Sequence, residues 1–120
     1  MAKNLEISLL LDFYGDMLTD KQREVIEYYY NDDLSLSEIA DNEGITRQGV
    51  RDSIKRAEFQ LLEMEERLGL ARRFREMRSG LEKISDSAAR IKEYNEHFIY
   101  SHELDDHVKT ILDIAQKLCE

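Results

Sequence analysis

Three observations predict an all-α fold. The chain of 120 residues has no proline and five glycines, so little interrupts a helix. Its apolar residues recur at spacings of three and four, and no stretch shows the strict alternation of a strand. The segment SLSEIADNEGITRQGVRDSIK, residues 35–55, carries the start and stop signals of two short helices meeting at a tight turn, a helix-turn-helix.

The elements follow in order. A first helix is predicted from about Glu6 to Met17, with Ile7, Leu10, Leu11, Tyr14 and Leu18 on one face. Thr19 is an N-cap for a second helix ending near Tyr30, and Gln22 stands where a capping-box partner belongs. Val25, Ile26 and Tyr29 are its core residues. Tyr28, Tyr29 and Tyr30 cannot all face one core, so Tyr28 or Tyr30 is expected to be partly exposed and available to an interface. Asn31, Asp32 and Asp33 form a polar loop.

The helix-turn-helix comes next. Ser35 and Glu38 form a capping box for a helix over Leu36 to Asn42. Small Ala40 lets two helices cross closely. Four residues on, Gly44 can take the positive φ of a tight turn. Thr46 caps the second helix, and Val50 plugs the crossing. Leu36, Ile39, Ile45 and Ile54 complete a small core.

That helix has no stop signal before Gly69. Val50, Ile54, Ala57, Leu61, Met64 and Leu68 form a heptad-like seam along it. A long helix follows, from about Ala71 to Phe98, with Phe74, Met77, Leu81, Ile84, Ala88, Ile91, Asn95 and Phe98 alternating three and four. Asn95 then occupies an a position, where one buried Asn can fix register; the alternative turns Tyr94 inward and leaves Asn95 in solvent. Gly80 weakens this helix by ~1 kcal/mol relative to Ala. After a loop over Tyr100 to Glu103, a last helix from about Leu104 to Leu118 presents Leu104, Val108, Ile111, Ala115 and Leu118. The division is a helix-turn-helix domain over 1–68 and a C-terminal helical oligomerisation or packing region over 69–120. The three seams, over residues 54–118, exceed what one subunit's thin tail covers, so a homodimer is expected.

Charge bears on partners. The net charge is −9, and charged residues make up 36%. Residues 1–70 hold eight Lys/Arg against sixteen Asp/Glu, a net of −8; residues 71–120 hold nine against ten, a net of −1. An acidic body repels phosphates, which argues against non-specific binding of nucleic acid. Within it, Arg47, Arg51, Lys55 and Arg56 cluster on one helix, against Asp52 and Glu58. Such a stripe can bind a specific site, weakly alone and more weakly as salt rises.

Arg47 and Arg51 are one turn apart and can enter one groove. Arg reads guanine bidentately and Gln48 can read adenine. Lys55 extends the row. Ser35, Ser37 and Thr46, at helix N-termini, are candidate phosphate contacts. The competing reading is a solvated charged face. Gly49 either permits close approach to a backbone or marks a motif that no longer reads DNA.

Other chemistry is weakly signalled. His97, His102 and His107, with Glu103 and Asp106 nearby, do not share one helical face and are read as solvated. Asp32 and Asp33 lack the glycine and terminal Glu of a calcium loop. With no nucleophile–base pair, phosphate loop or carboxylate dyad, no enzyme, metal or cofactor is expected. Cys119 stands alone next to the end, which leaves no disulfide framework. No apolar run approaches the ~20 residues of a membrane helix, and the first residues do not read as a signal peptide, so a cytoplasmic protein without membrane insertion is expected.

Residues 18–63 resemble region 4 of sigma-70-type factors, through the L-T-x-x-Q-R-E opening at Leu18, the S-L-S-E-I-A helix and the I-T-R-Q-G-V-R-x-S-I-K-R-A helix. The resemblance implies a sigma region 4-like or winged-helix-like domain, with Arg47, Gln48, Arg51 and Lys55 as base and phosphate readers. With its LLLDFYGDMLTDKQR opening and helical tail, the whole chain is similar to the YlxM family of small bacterial proteins. That resemblance implies a helix-turn-helix regulator binding DNA or RNA. It also implies a part in the signal recognition particle pathway, since the family's gene typically lies beside that of the particle's GTPase. The alternative is an interaction module that binds the particle's protein, GTPase or RNA in place of DNA.

Overall fold

The structure, a computed structural model, describes residues 2–98 and 100–120. Six α-helices follow one another: α1 Leu5–Tyr14, α2 Asp20–Tyr30, α3 Leu36–Glu43, α4 Arg47–Leu68, α5 Leu70–His97 and α6 His102–Cys119. A 3-10 turn, Gly15–Met17, links α1 to α2. No strand occurs among the described residues, so the winged-helix-like alternative lacks its wing. The chain divides into two compact units, Met1–Ala71 and Arg72–Glu120.

Local signals account for the helix ends. Asn4 caps α1 through the Glu6 N–H. Thr19 with Gln22, and Ser35 with Glu38, form complete capping boxes. Gly44 and Gly69 end α3 and α4 in the left-handed region, at φ of 66° and 63°, where a Cβ would be strained. Ser101 caps α6 through the Leu104 N–H, so that helix begins two residues earlier than its apolar pattern suggests.

The first unit packs α1, α2 and α3 against α4. Its core is continuous from Ile7, Leu10 and Tyr14 through Ile26 and Ile39 to Val50, Ile54 and Leu61, all fully buried. The seam of α4 is therefore covered within the unit and needs no second subunit, contrary to the expectation of three open seams. Leu68, at its end, is exposed. Ile45 also departs from expectation. It follows the left-handed Gly44, lies over the first turn of α4 near Gly49, and remains exposed. Of the three tyrosines, Tyr29 and Tyr30 turn inward, and Tyr28 is the half-buried one.

Two buried tyrosine hydroxyls fasten α4. Tyr14 Oη donates to Glu65 Oε1 at 2.7 Å and accepts from the Leu70 N–H at 3.1 Å. Glu65 Oε1 also accepts from the Ala71 N–H. The first amides of α5 are thus held by α1 and α4 together. Tyr30 Oη donates to Glu58 and accepts from the Asn4 N–H, which ties the start of α1 to α4. Burial pushes the Tyr30 phenol up to about 12. Burial, then Glu65, raises that of Tyr14.

The second unit is a hairpin of α5 and α6. At one end Asn95 is buried, donating to the Ser101 carbonyl and accepting from its N–H. Tyr94 faces outward, stacked on Phe98. Of the two alternatives for Asn95, the inward one holds, and its work is to close the α5–α6 turn. At the other end Cys119 Sγ lies 4.0 Å from the Arg78 carbonyl, so Cys119 is the last residue of a packed helix. Asp105 is buried in this unit, held below the usual carboxylate range by Lys109.

Candidate nucleic-acid interface

The site begins with the turn between α3 and α4. Ser35 Oγ accepts from the Glu38 N–H, and Ser35 N–H donates to Glu38 Oε1, each at 3.1 Å. Thr46 Oγ1 accepts from the Gly49 N–H at 2.9 Å. Ser35 and Thr46, expected at phosphates, therefore also hold their helix starts. Ser37, in the first turn of α3, is exposed. A Cβ on Gly49 would lie 3.2 Å from Thr46 Oγ1. The glycine thus has a local reason: it leaves room for the cap that starts α4.

With Val50, Ile54 and Ala57 buried, Arg47, Gln48, Arg51 and Lys55 stand exposed. Arg47, Arg51 and Lys55 follow one another at single-turn intervals along one face. Leu36, Arg47, Gln48 and Arg51 line an open hollow of about 410 Å³ between the start of α3 and α4. Leu36, read as core from the sequence, is only half-buried and forms the apolar wall of this hollow. Nothing in its helical spacing separates that role from a core position. Gln48 Nε2 donates to Asp52 Oδ1 at 2.9 Å, one turn along, and must release it to meet another partner.

Charge pairing separates this face from the rest of the unit. Lys3 pairs with Asp33, Lys21 with Glu43, Arg23 with Asp16 and Glu27, and Arg67 with Glu63. Arg47, Arg51, Lys55 and Arg56 have no carboxylate within 4 Å among the described residues. The eight cations of residues 1–70 thus divide evenly, and the four unpaired ones all lie in the first half of α4. The Lys21–Glu43 pair closes α2 on α3 with the Glu43 carboxylate nearly buried. Lys21 holds that carboxylate below its usual range.

The histidines are placed elsewhere. His102 lies 3.5 Å from Asp106 and His107 lies 4.0 Å from Glu103, each across one turn of α6. No three His, Cys, Asp or Glu residues converge as a metal-holding group among the described residues. No described helix is long and apolar enough to cross a membrane.

Fold and site together define a helix-turn-helix protein. A family described as "Putative helix-turn-helix protein, YlxM / p13 like" (UPF0122) matches residues 1–100, and the chain belongs to this family. A UPF0122 protein of Thermoanaerobacter sp. (strain X514) is 51% identical over 89 residues, 74% of this chain and 76% of the relative. One from Caldanaerobacter subterraneus subsp. tengcongensis is 52% identical over 82 residues, 68% of this chain and 70% of its own. Another, from Shouchella clausii, is 46% identical over 89 residues, 74% and 82% of the two chains.

Proposed function

We infer that the protein is a cytoplasmic, non-enzymatic regulator. It binds a specific DNA site through α4, acts as a homodimer, and serves the signal recognition particle pathway. One observation carries the DNA reading: in a strongly acidic unit, every cation without an acid partner lies on the first half of the helix that follows the turn. Arg47 and Arg51 flank the hollow beside Leu36 and are free to meet base edges, while Lys55 and the exposed Ser37 are placed for phosphates. The acidic surroundings suppress binding to arbitrary sequence, since that binding rests on phosphate neutralisation alone.

A second reading gives the same face to the particle's RNA, or the fold to its protein or GTPase. The net of −8 over residues 1–70 favours the protein or GTPase partner within that reading, because a protein surface tolerates that charge better than a polyphosphate, DNA or RNA, does. Selection from a random duplex library at low salt, with a structured-RNA library in parallel, separates DNA from RNA, and enrichment of neither leaves the protein or GTPase partner. On the selected duplex, Arg51→Ala is expected to weaken binding by about 1–3 kcal/mol and relax one base position. Changing Arg47, Arg51 and Lys55 together to Ala is expected to abolish binding. Equal binding by that triple variant removes the assignment of α4 as the reader.

A further inference from the structure

The second unit buries little that is large. Among the described residues its buried apolar side chains are Ala88, Val108 and Ala115, none bigger than valine. On α5 the apolar stripe is wider than α6 covers. Ala88 and Asn95 face inward, whereas Met77, Ile84 and Ile91, and Phe98 just past the helix end, remain exposed at intervals of seven. On α6, Leu104, Ile111 and Leu118 remain exposed at the same interval. These two rows meet: Ile84 and Ile91 of α5 and Ile111 of α6 line one shared groove. The hairpin is therefore apolar along one face, with the seven-residue repeat that helix bundles use for packing at shallow angles.

We propose that this face is the homodimer interface, and that two hairpins close into a four-helix bundle with α5 of each copy lying against α6 of the other. This deepens the homodimer part of the reading above and rests on it. Three observations select a second copy as the occupant. The first is charge. The α5 segment carries seven Lys/Arg against five Asp/Glu, a net of +2, and α6 carries two against four, a net of −2. Pairing α5 with α6 of the partner is thus complementary on both sides of a two-fold axis, and pairing like with like is not. The second is area. With Tyr94 and Ile114, the exposed side chains of the two rows offer roughly 800–1,000 Å² per copy. One side of a standard stable interface is about 800 Å². The third is composition. The same-face positions between successive members of the α5 row, Gly80, Ser87 and Tyr94, are uncharged. Charge depletion is the mark of an interface core, and a Cβ at Gly80 would meet nothing within 4 Å.

The full-length chain provides the test, with no nucleic acid present. Sedimentation equilibrium at micromolar concentration is expected to give twice the 14.2 kDa chain mass. Two variants divide the interface: Ile84→Lys with Ile91→Lys on α5, and Ile111→Glu with Leu118→Glu on α6. Each is expected to sediment as a monomer with its first unit folded by circular dichroism. An equimolar mixture is expected to recover the dimer, because introduced lysines then meet introduced glutamates. Recovery also guards against simple misfolding, since a collapsed hairpin would not be rescued by a second variant. A wild-type mass of 14.2 kDa at all concentrations overturns the proposal and leaves the face to a different protein. Dimers that persist in both variants, or a mixture that stays monomeric, overturn it as well. Half-site DNA binding by the monomeric variants reports on the basic face separately, so failure of the dimer and failure of the DNA reading are distinguishable.

Discussion

Replacing Tyr14 by Phe removes one oxygen atom and tests how the two long helices are joined. The ring is fully buried and would keep its packing. What is lost is a 2.7 Å hydrogen bond to the Glu65 carboxylate and the acceptor for the Leu70 N–H at 3.1 Å. A hydrogen bond to a charged group contributes about 1.5–3 kcal/mol, and an orphaned buried donor costs about 1–3. Leu70 is partly exposed, so its N–H can turn to water, and Glu65 keeps the Ala71 N–H. The orphan cost is thus largely avoided and the lost charged hydrogen bond remains: about 2 kcal/mol at pH 7. Urea unfolding followed by circular dichroism reads this directly, and Glu65→Gln in a double-mutant cycle isolates the pair. The pH dependence gives a second readout. Burial and Glu65 raise the Tyr14 phenol above its ordinary 10. Folding therefore favours the neutral hydroxyl. That stabilisation is complete below pH 10 and is lost as pH rises through the folded value. The gap between wild type and Tyr14→Phe should narrow above pH 10. A loss under ~0.5 kcal/mol at pH 7, with no coupling to Glu65, would show that this junction is held by packing alone.

Gly44→Ala is expected to cost about 1 kcal/mol, and Gly44→Asn less. No atom lies within 4 Å of the added Cβ, so the whole effect is that of the left-handed backbone. Urea midpoints rank the three proteins, and an Ala variant as stable as wild type contradicts it. Glu43 titrates below its usual range because of Lys21. Its contribution is present above the unfolded value of about 4.3 and is lost as pH falls through the folded one. Unfolding at pH 7 and pH 3 should therefore show a smaller acid-induced loss in Glu43→Gln than in wild type; parallel losses would refute the assignment.

The order and ends of the helices were legible because their causes act within one turn of chain. Thr19 with Gln22, Ser35 with Glu38, Thr46, and the glycines at 44 and 69 each bond or bend only near neighbours. Exposure of Arg47, Gln48, Arg51 and Lys55 was legible for the same reason, once Val50 and Ile54 marked the inner side of the helix. What their neighbours do not carry is ion pairing. That Lys21 is paired by Glu43, while Arg51 has no carboxylate within 4 Å among the described residues, depends on which helices lie side by side.

An all-α chain, its helix-turn-helix and the face of α4 that stays in water follow from the residues alone, since periodicity and caps are properties of single helices. Packing between helices chose among positions that one helix leaves equivalent. It turned Asn95 in and Tyr94 out, buried Tyr30 and left Tyr28 half-exposed, and left Ile45 outside the core. It joined Tyr14 to Glu65 across 51 residues of sequence. It also covered the seam of α4 with α1, α2 and α3 while leaving the rows of α5 and α6 open. The physical reason is that an apolar stripe says a helix will be covered, and only the surfaces brought beside it by the rest of the chain decide which part of the stripe is covered, and by what.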